Sequence, residues 1–379
     1  MNARTKTSSP LSKLFEIYWL LPMLVFLIGL VGVAMIYSAT NGIWGYGAKQ
    51  HLMRFVGGMG LMFVVALTNI KVWYALAYPS YIAALILLVG VEFVGDEVNG
   101  SQRWLDLGLM RLQPSELMKM AVVLALARFY HDLPRWRVSE PSGIIGAILL
   151  IGLPVGFVLK QPDLGTSLLI AATGVTLIFL AGINWRIIIT TGIATVVAIP
   201  LAYTYGLKDY QKARWKTFMN PDQDPTDAGY QIIQSKIALG SGGVNGKGFT
   251  QGTQASLKYV PENRTDFIFT VIGEEFGFMG GLGTIALYIM TLAVCFWLAS
   301  QCKHIFSRLL IYGLATTFAL YVIINLAMVM GLAPVVGVPL ALISYGGSVM
   351  MTVLIGFGLI LSAHLHRETE LPRGSGLLL

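Results

Sequence analysis

The chain has 379 residues, of which 55% are hydrophobic and only 12% are charged, and its formal net charge is +7. Soluble globular domains carry about 25% charged residues, so this balance excludes a soluble domain. A membrane-spanning helix needs about 20 predominantly apolar residues. Apolar runs of about this length recur from one end of the chain to the other.

These runs predict an all-α integral membrane protein with about ten transmembrane helices in one bundle. The first run is long enough to remain as a span and lacks a small-residue cleavage site, so no cleavable signal peptide is expected. A single polytopic domain then covers residues 1–379, and its tail at 370–379 is typical of a cloning remnant. The predicted spans are 18–39, 50–68, 72–94, 114–131, 143–159, 164–181, 186–206, 267–298, 308–332 and 346–365.

Lysine and arginine predict the orientation, because short cytoplasmic loops of membrane proteins are enriched in both. With the N-terminus inside, the short inner segments hold more of these residues than the short outer loops do. Both termini are therefore predicted to be cytoplasmic, and two polar loops, at about 95–113 and 207–265, face outward. The basic residues of the second loop, Arg214 among them, would suit an anionic partner such as a phosphate.

Two charged residues lie just inside the fourth predicted span. Glu116 and Lys119 are three residues apart, so they share one face of a helix and can pair. They form either a simple intrahelical ion pair or a polar patch that lines an outward-open cavity, since ions at membrane depth usually line a cavity or pathway. Just upstream, Arg103 and Trp104 fit an interfacial anchor and a phosphate contact equally well.

The second outer loop contains an amphipathic pattern at 230–239, which predicts a helix at the membrane interface. Glycines at 240–248 follow, and such a backbone can wrap an anion, act as a lid or form an ordinary loop. Composition alone favours the ordinary loop.

Asp266 stands where this polar loop meets the apolar eighth span, which itself contains Glu274 and Glu275. A carboxylate at such a boundary can act as a general base near lipid head groups. Alternatively, Thr265 and Asp266 simply cap the eighth helix, and the residues alone do not decide between the two.

Metal and disulfide chemistry receive little support. No zinc-ligand spacing occurs, and Cys295 and Cys302 fall near the predicted cytoplasmic end of a span, where no structural disulfide is expected. Two acids on the outer side, Asp266 and Glu116, are compatible with a divalent cation such as Mg or Mn, although no ligand spacing supports one.

Several motifs, in order along nearly the whole chain, resemble the SEDS (shape, elongation, division and sporulation) family. The runs 234–243 (QSKIALGSGG) and 252–254 (GTQ) are similar to its RodA branch, which serves elongation. The family motifs are 99–108 (NGSQRWLDLG), 113–116 (QPSE), 161–167 (QPDLGTS), Pro261-Glu262 with 265–269 (TDFIF), 337–340 (GVPL) and 344–348 (SYGGS).

The resemblance implies a peptidoglycan glycosyltransferase of the cytoplasmic membrane that polymerises lipid II into glycan strands at the outer face during cell elongation. It implies that Asp266 is the catalytic carboxylate and that Glu116 and Lys119 lie in the cavity near it. An inverting displacement fits, since the α-linked donor becomes a β-linked product in this family. Arg103, Lys119 and Arg214 are the candidates for binding the anionic lipid head group, with Trp104 beside them.

The resemblance also implies the partners. These are the undecaprenyl-linked glycan, a class B penicillin-binding protein that supplies the transpeptidase, and other membrane proteins of the elongation complex, all within membrane lipid. Nucleic acid is not an expected partner. Two other functions use the same features: a transporter that flips a lipid-linked precursor through the charged cavity, and a non-catalytic scaffold for wall-synthesis proteins.

Overall fold

The structure, a computed structural model, describes residues 10–98, 101–106, 111–201, 204, 209–224, 228–257, 259 and 261–372. A helix lies at each of the ten predicted spans, so the all-α multi-pass fold is confirmed. The helices are α1 (Pro10–Glu16), α2 (Leu20–Ala39), α3 (Tyr46–Leu67), α4 (Ile70–Val94), α5 (Pro114–Asp132), α6 (Pro141–Lys160), α7 (Leu164–Leu180), α8 (Trp185–Leu201), α9 (Asp209–Met219), α10 (Ala228–Ser241), α11 (Thr253–Ser256), α12 (Ile268–Gln301), α13 (Ile305–Val329) and α14 (Gly347–Leu365).

Seven of these helices, α2, α3, α4, α6, α12, α13 and α14, are long and apolar enough to cross a membrane by length and composition. The other three predicted spans correspond to α7 and α8, which are shorter, and to α5, which carries Glu116, Lys119 and Arg128 along its length. Large apolar side chains such as Ile86 and Leu149 are 64% and 61% exposed on the outside of the bundle. Hydrocarbon is the solvent that suits such a surface.

The centre of the bundle is formed by α13 and α14. In their most apolar stretches, 67% and 78% of residues are buried, against 28% to 50% in the other five spanning helices. Around them, α3 packs on α14, α5 packs on α4, and α13 contacts α5, α7 and α12. Residues contributed by α13 and by the segment that precedes α14 are therefore the ones best placed to shape an interior site.

The first outer loop folds into a small antiparallel sheet of three strands, β1 (Asp96–Val98), β2 (Ser101–Asp106) and β3 (Arg111–Leu112), in the order β1-β2-β3. Leu105 pairs with Leu112 across the second junction. Asn99 and Gly100, the first two residues of the family motif 99–108, lie outside the described residues. The sheet contacts α4 and α5, and it holds Arg103 and Trp104 over the end of the bundle.

The eighth span is interrupted, which the sequence analysis did not anticipate. Gly277 has non-helical backbone angles (φ 63°, ψ −159°) and divides α12 into a short segment, 268–276, and a long segment, 278–301. An uninterrupted helix of this length would measure about 50 Å, well beyond the roughly 30 Å of a hydrocarbon core. The break therefore places Asp266 at the head of a short segment outside the long spanning helix.

The glycine-rich loop satisfies the backbone groups that this break frees. The backbone N–H groups of Lys247 and Gly248 donate to the carbonyls of Glu274 and Glu275, at 3.0 and 2.9 Å. Phe278 and Met279 in turn donate to the carbonyls of Gly243 and Val244, at 2.9 and 3.1 Å. Non-helical backbone at membrane depth is tolerated where protein supplies such partners.

The docked loop also surrounds one of the two buried acids. The Glu274 carboxylate accepts hydrogen bonds from the Lys247 ammonium at 2.6 Å, the Thr253 hydroxyl at 3.1 Å and the Gln254 backbone N–H at 2.9 Å. The anion that this loop wraps is thus the protein's own side chain. The amides of Lys247 and Gly248 donate to carbonyls, so the alternative in which this backbone wraps an external anion finds no support at these two residues.

The amphipathic helix predicted at 230–239 is present as α10. Its buried residues, which include Ile232, Ser235 and Ala238, recur every three residues and face α12 and α13. The Ser235 hydroxyl donates to the Val329 carbonyl at 2.8 Å, at the end of α13. The orientation of the chain in the membrane and the extent of the single domain stay predictions.

Candidate active site

A cavity of about 210 Å³, lined in part by charged residues, opens at the end of the bundle that carries the two predicted outer loops. It lies between β2, the starts of α5 and α7, the segment before α12, the outer part of α13 and the segment before α14. Five of the six predicted site residues, Asp266, Glu116, Lys119, Arg103 and Trp104, line it. Residues separated by more than 160 positions in the sequence therefore meet at one place.

Asp266 is partly exposed to this cavity. Burial, and to a smaller extent the nearby Glu262 carboxylate, raise the pKa of its carboxyl from 3.8 to about 6. The proposed capping role is not observed, since Phe267 occupies the N-cap position of α12 and no side chain caps that end. The Thr265 hydroxyl instead donates to Glu262, at 2.6 Å. A carboxyl with this pKa is mostly ionised at neutral pH yet remains a better base than an ordinary aspartate.

Glu116 and Lys119 form the predicted ion pair, at 2.7 Å between Oε1 and Nζ, and both are buried. Tyr321 of α13 completes a closed network, since its hydroxyl donates to Glu116 Oε2 at 2.5 Å and accepts from the Lys119 ammonium. The Thr352 hydroxyl approaches Glu116 Oε2 at 3.4 Å. The two alternatives considered from the sequence are thus compatible, because the pair is also part of the cavity wall.

Arg103 holds the turn that precedes α7. It donates to the carbonyls of Gln161 and Pro162, at 2.9 and 2.6 Å, and its third nitrogen lies 3.9 Å from Asp163 Oδ2. Its side chain remains 26% exposed, whereas that of Lys119 is only 3% exposed. Arg103 is therefore the more accessible of the two cations to a ligand that enters the cavity.

A family model described as "Cell cycle protein" (FtsW, RodA, SpoVE) matches residues 17–369. The chain belongs to the FtsW/RodA/SpoVE, or SEDS, family.

Individual relatives agree with the family. This SEDS protein is 43% identical to peptidoglycan glycosyltransferase MrdB of Escherichia coli (strain K12), over 344 residues that cover 88% of this chain and 91% of MrdB. It is 36% identical to a probable peptidoglycan glycosyltransferase FtsW of Trichlorobacter lovleyi, over 87% of this chain and 88% of that protein. The predictions of the SEDS family and of a glycosyltransferase are confirmed.

Solved structures extend the likeness to the fold. A chain of a peptidoglycan synthase complex that coordinates polymerization and crosslinking has a TM-score of 0.83 and 31% identity to this SEDS protein, over 93% of this chain and 99% of that chain. The crystal structure of the rod shape determining protein RodA of Thermus thermophilus has a TM-score of 0.70 and 29% identity, over 93% and 98% of the two chains.

Arg214 is the predicted site residue that the structure does not bring to the cavity of this SEDS protein. It lies on α9, which contacts α10 and the short 3₁₀ turn Pro221–Gln223, and it is not among the cavity-lining residues. Its assignment to an anionic head group rested on charge and on its place in the outer loop. Charge alone does not determine where a loop folds, and here α9 packs on α10 and the 3₁₀ turn.

The cavity residues that were missed as individual site residues include Asp163, Gln113 and Tyr321. Asp163 Oδ1 accepts from the Thr166 backbone N–H at 3.0 Å and so caps α7, while its Oδ2 accepts from Gln113 at 3.2 Å. Asp163 and Gln113 appeared only inside family motifs, and an aspartate three residues before a helical N–H is an ordinary cap signal. A polar residue within an apolar span was the one available signal for Tyr321.

The remaining predictions concern metals and cysteines. Within the described ranges, no group of three or more histidine, cysteine, aspartate or glutamate side chains is arranged to hold a metal ion. The divalent cation stays a prediction. Cys295 and Cys302 are free and buried.

Proposed function

We propose that the chain is a peptidoglycan glycosyltransferase that polymerises lipid II into glycan strands during cell elongation, and that Asp266 is its general base. The observation that carries the proposal is the shared cavity, in which the Asp266 carboxylate faces the same space as Arg103 and the Glu116–Lys119 pair. The names of the SEDS relatives, peptidoglycan glycosyltransferases, support the choice of substrate.

Glycosyl transfer onto a sugar hydroxyl requires removal of that hydroxyl's proton as the new bond forms. Asp266 would accept this proton and would direct the acceptor oxygen to the anomeric carbon of the donor in one inverting displacement. The leaving diphosphate gains negative charge in the transition state, and a fixed cation stabilises it. Arg103, held by two backbone carbonyls and still partly exposed, is best placed for this role.

Lys119 would act differently, because Glu116 and Tyr321 already engage two of its three N–H donors. Its buried ammonium is neutralised by Glu116, so we assign to the pair the task of maintaining a polar cavity wall with little net charge. A diphosphate would approach through the outer opening, beside Arg103 and Trp104, and would meet this wall second.

The proposal places the site at the outer face of the cytoplasmic membrane. Arg103 and Trp104 belong to the loop predicted to be outside, and Asp266 follows the second such loop. The abundance of lysine and arginine in the short segments at the opposite end supports this orientation. For the partner, we propose a class B penicillin-binding protein with other elongation proteins, supported by the similarity to a chain of a peptidoglycan synthase complex.

The test is glycan polymerisation by purified protein with lipid II, with and without the partner. Asp266→Asn keeps the shape of the side chain but removes the base, so polymer should be lost while partner binding is retained. Asp222→Asn is the matched control, since Asp222 is exposed on the outer loop and is not among the cavity-lining residues. Polymer from Asp266→Asn at the wild-type rate would refute the assignment of the base.

The same preparation separates the other functions. Leaflet exchange of labelled lipid II without polymer would favour a transporter, for which the broken helix α12 is a structural precedent. Loss of partner-dependent synthesis on interface changes alone, with Asp266→Asn fully active, would favour a scaffold. Addition of a chelator tests the divalent cation, since full activity in its presence excludes a catalytic Mg or Mn.

A further inference from the structure

Asn325 is a fully buried amide near the outer end of α13, one helical turn beyond Tyr321. A buried amide in an apolar span is costly unless it is hydrogen-bonded. Its nitrogen donates two hydrogen bonds of 2.7 Å, one to the carbonyl of Asp266 and one to the carbonyl of Val338. One side chain therefore ties together two segments that both line the cavity.

The bond to Asp266 is the last of three on consecutive peptide groups. The Arg264 carbonyl accepts from the Tyr345 backbone N–H at 2.8 Å, and the Thr265 carbonyl accepts from the Ser344 hydroxyl at 2.5 Å. The Asp266 carbonyl then accepts from Asn325. All three bonds use main-chain oxygens, so they fix the backbone that carries the carboxylate without consuming the carboxylate itself.

The second bond, from Asn325 to the Val338 carbonyl, holds the turn that lies next to the Asp266 carboxylate. Val338 follows Gly337, which has a positive φ of 74°, and a Cβ atom at Gly337 would lie 3.5 Å from Asp266 Oδ2. The bare backbone of this turn is therefore the immediate neighbour of the carboxylate. Because Asn325 holds both Val338 and Asp266, the spacing between the turn and the carboxylate depends on it.

We propose that Asn325 is a positioning residue that sets the separation of the Asp266 carboxylate from the Gly337 turn. This inference rests on the proposed role of Asp266 as base. Asn325 does not line the cavity and so would not contact substrate. Its effect would be confined to the chemical step, because a small displacement of a catalytic group lowers turnover more than it changes substrate binding.

The experiment measures kcat and KM for lipid II polymerisation, with the protein in complex with its partner, across pH 5 to 8. Asn325→Leu removes both hydrogen bonds while keeping the branching and the number of heavy atoms of the side chain, and we expect kcat to fall on the order of 10- to 100-fold with KM within about twofold. Asn325→Ser can donate only one hydrogen bond, so it should give an intermediate kcat. Thr173→Val is the control, since it removes a buried 3.2 Å bond between α7 and α13 away from the cavity, and its kcat should equal that of wild type.

The pH profile separates positioning from general loosening of the fold. When the backbone of Asp266 relaxes, water reaches the carboxylate, and the acid limb of kcat should move to lower pH in both Asn325 variants. The charged groups around it are unchanged by these substitutions. They are Glu262 on the same segment and Arg103, Glu116, Lys119 and Asp163 across the cavity.

Wild-type kcat and an unmoved acid limb in a folded Asn325→Leu would overturn the proposal, and so would an equal loss in Thr173→Val. If Asn325→Leu does not fold, Asn325→Ser decides by the same two readouts. The proposed function fails separately, through polymer made by Asp266→Asn. If Asp266→Asn is inactive and the Asn325 variants have the kcat of wild type, Asp266 stays the base and only the positioning role is rejected.

Discussion

Replacement of the proposed base should make the folded protein more stable while it removes activity. Burial and the Glu262 carboxylate raise the pKa of Asp266 from 3.8 to about 6, which means that ionisation is harder in the folded state than in the unfolded chain. At neutral pH the carboxyl is charged in both states, so the higher free energy of the carboxylate in the folded state destabilises the folded protein. Asp266→Asn is neutral at every pH and avoids it.

The size and sign of this effect follow from linkage. A shift of roughly 2 pKa units corresponds to roughly 3 kcal/mol, and partial exposure to the cavity reduces this to about 1–2 kcal/mol by solvent screening. The folded pKa of Asp266 is raised, so the folded state of wild type holds more protons between pH 4 and 6. The free energy of unfolding of wild type therefore equals that of Asp266→Asn below about pH 4, falls beneath it as the pH rises through about 6, and stays lower at higher pH.

The assay is thermal unfolding of purified protein in detergent at a fixed scan rate, at pH 7.5 and at pH 4.5. We expect Asp266→Asn to melt a few degrees above wild type at pH 7.5, given about 2–4 °C per kcal/mol for chains of moderate size, and the difference to shrink at pH 4.5. Asp222→Asn, which removes a charge from an exposed position, should show no such gain. A folded Asp266→Asn that melts at or below wild type at pH 7.5 would show that the carboxylate is not under this electrostatic strain.

Three further outcomes follow from the site and the helix break. The polymerisation rate of wild type should rise through about pH 6 and then level off, since Asp266 must be ionised. Glu262→Gln should move this acid limb of the pH–rate profile to lower pH because it removes a neighbouring carboxylate. An acid limb that does not move in initial-rate measurements would argue against this electrostatic coupling. Glu116→Ala leaves the ammonium of its lysine partner without its carboxylate in a buried position, and it should lower the free energy of unfolding by about 3–5 kcal/mol. The measurement is size-exclusion chromatography, in which the monodisperse peak should be lost. An unchanged peak and melting curve would mean that water replaces the carboxylate. Gly277→Ala would place a methyl carbon 2.4 Å from the backbone of the docked glycine-rich loop, at a position with positive φ. The loop would have to move away, so proteolysis of the outer loop should become faster. Gly283→Ala is the control, since that position has open space around it, and its digestion pattern should equal that of wild type.

The spans were predictable because apolar runs are local signals. Each helix that crosses a bilayer must satisfy its own backbone groups and present apolar side chains to lipid, so a run of suitable length is sufficient evidence. The interruption of α12 was not predictable in this way. Gly277 is one of several glycines in this part of the span, and glycine is common in spanning helices. The carbonyls of Gly243 and Val244, which accept hydrogen bonds from the backbone just after the break, are about thirty residues away in the sequence.

The residues of the site also differ in how far the sequence alone could predict them. Asp266, Glu116 and Lys119 were identified because charged groups at membrane depth are rare and because the family resemblance supplied roles for them. Arg214 was assigned from charge in a loop whose folding the sequence does not specify, and the structure places it outside the cavity. A charge has predictive value where the surroundings are hydrocarbon and little value where they are water.

The same criterion, applied to uncharged polar residues, would have found the support of the site. Tyr321 and Asn325 are four residues apart, so they share one face of α13, and the stretch around them is otherwise apolar. Each must find a partner inside the bundle, because lipid offers none. Tyr321 meets the ion pair of α5 and Asn325 meets the backbone of Asp266, which makes this face of α13 the element that brings the cavity wall and the proposed base together.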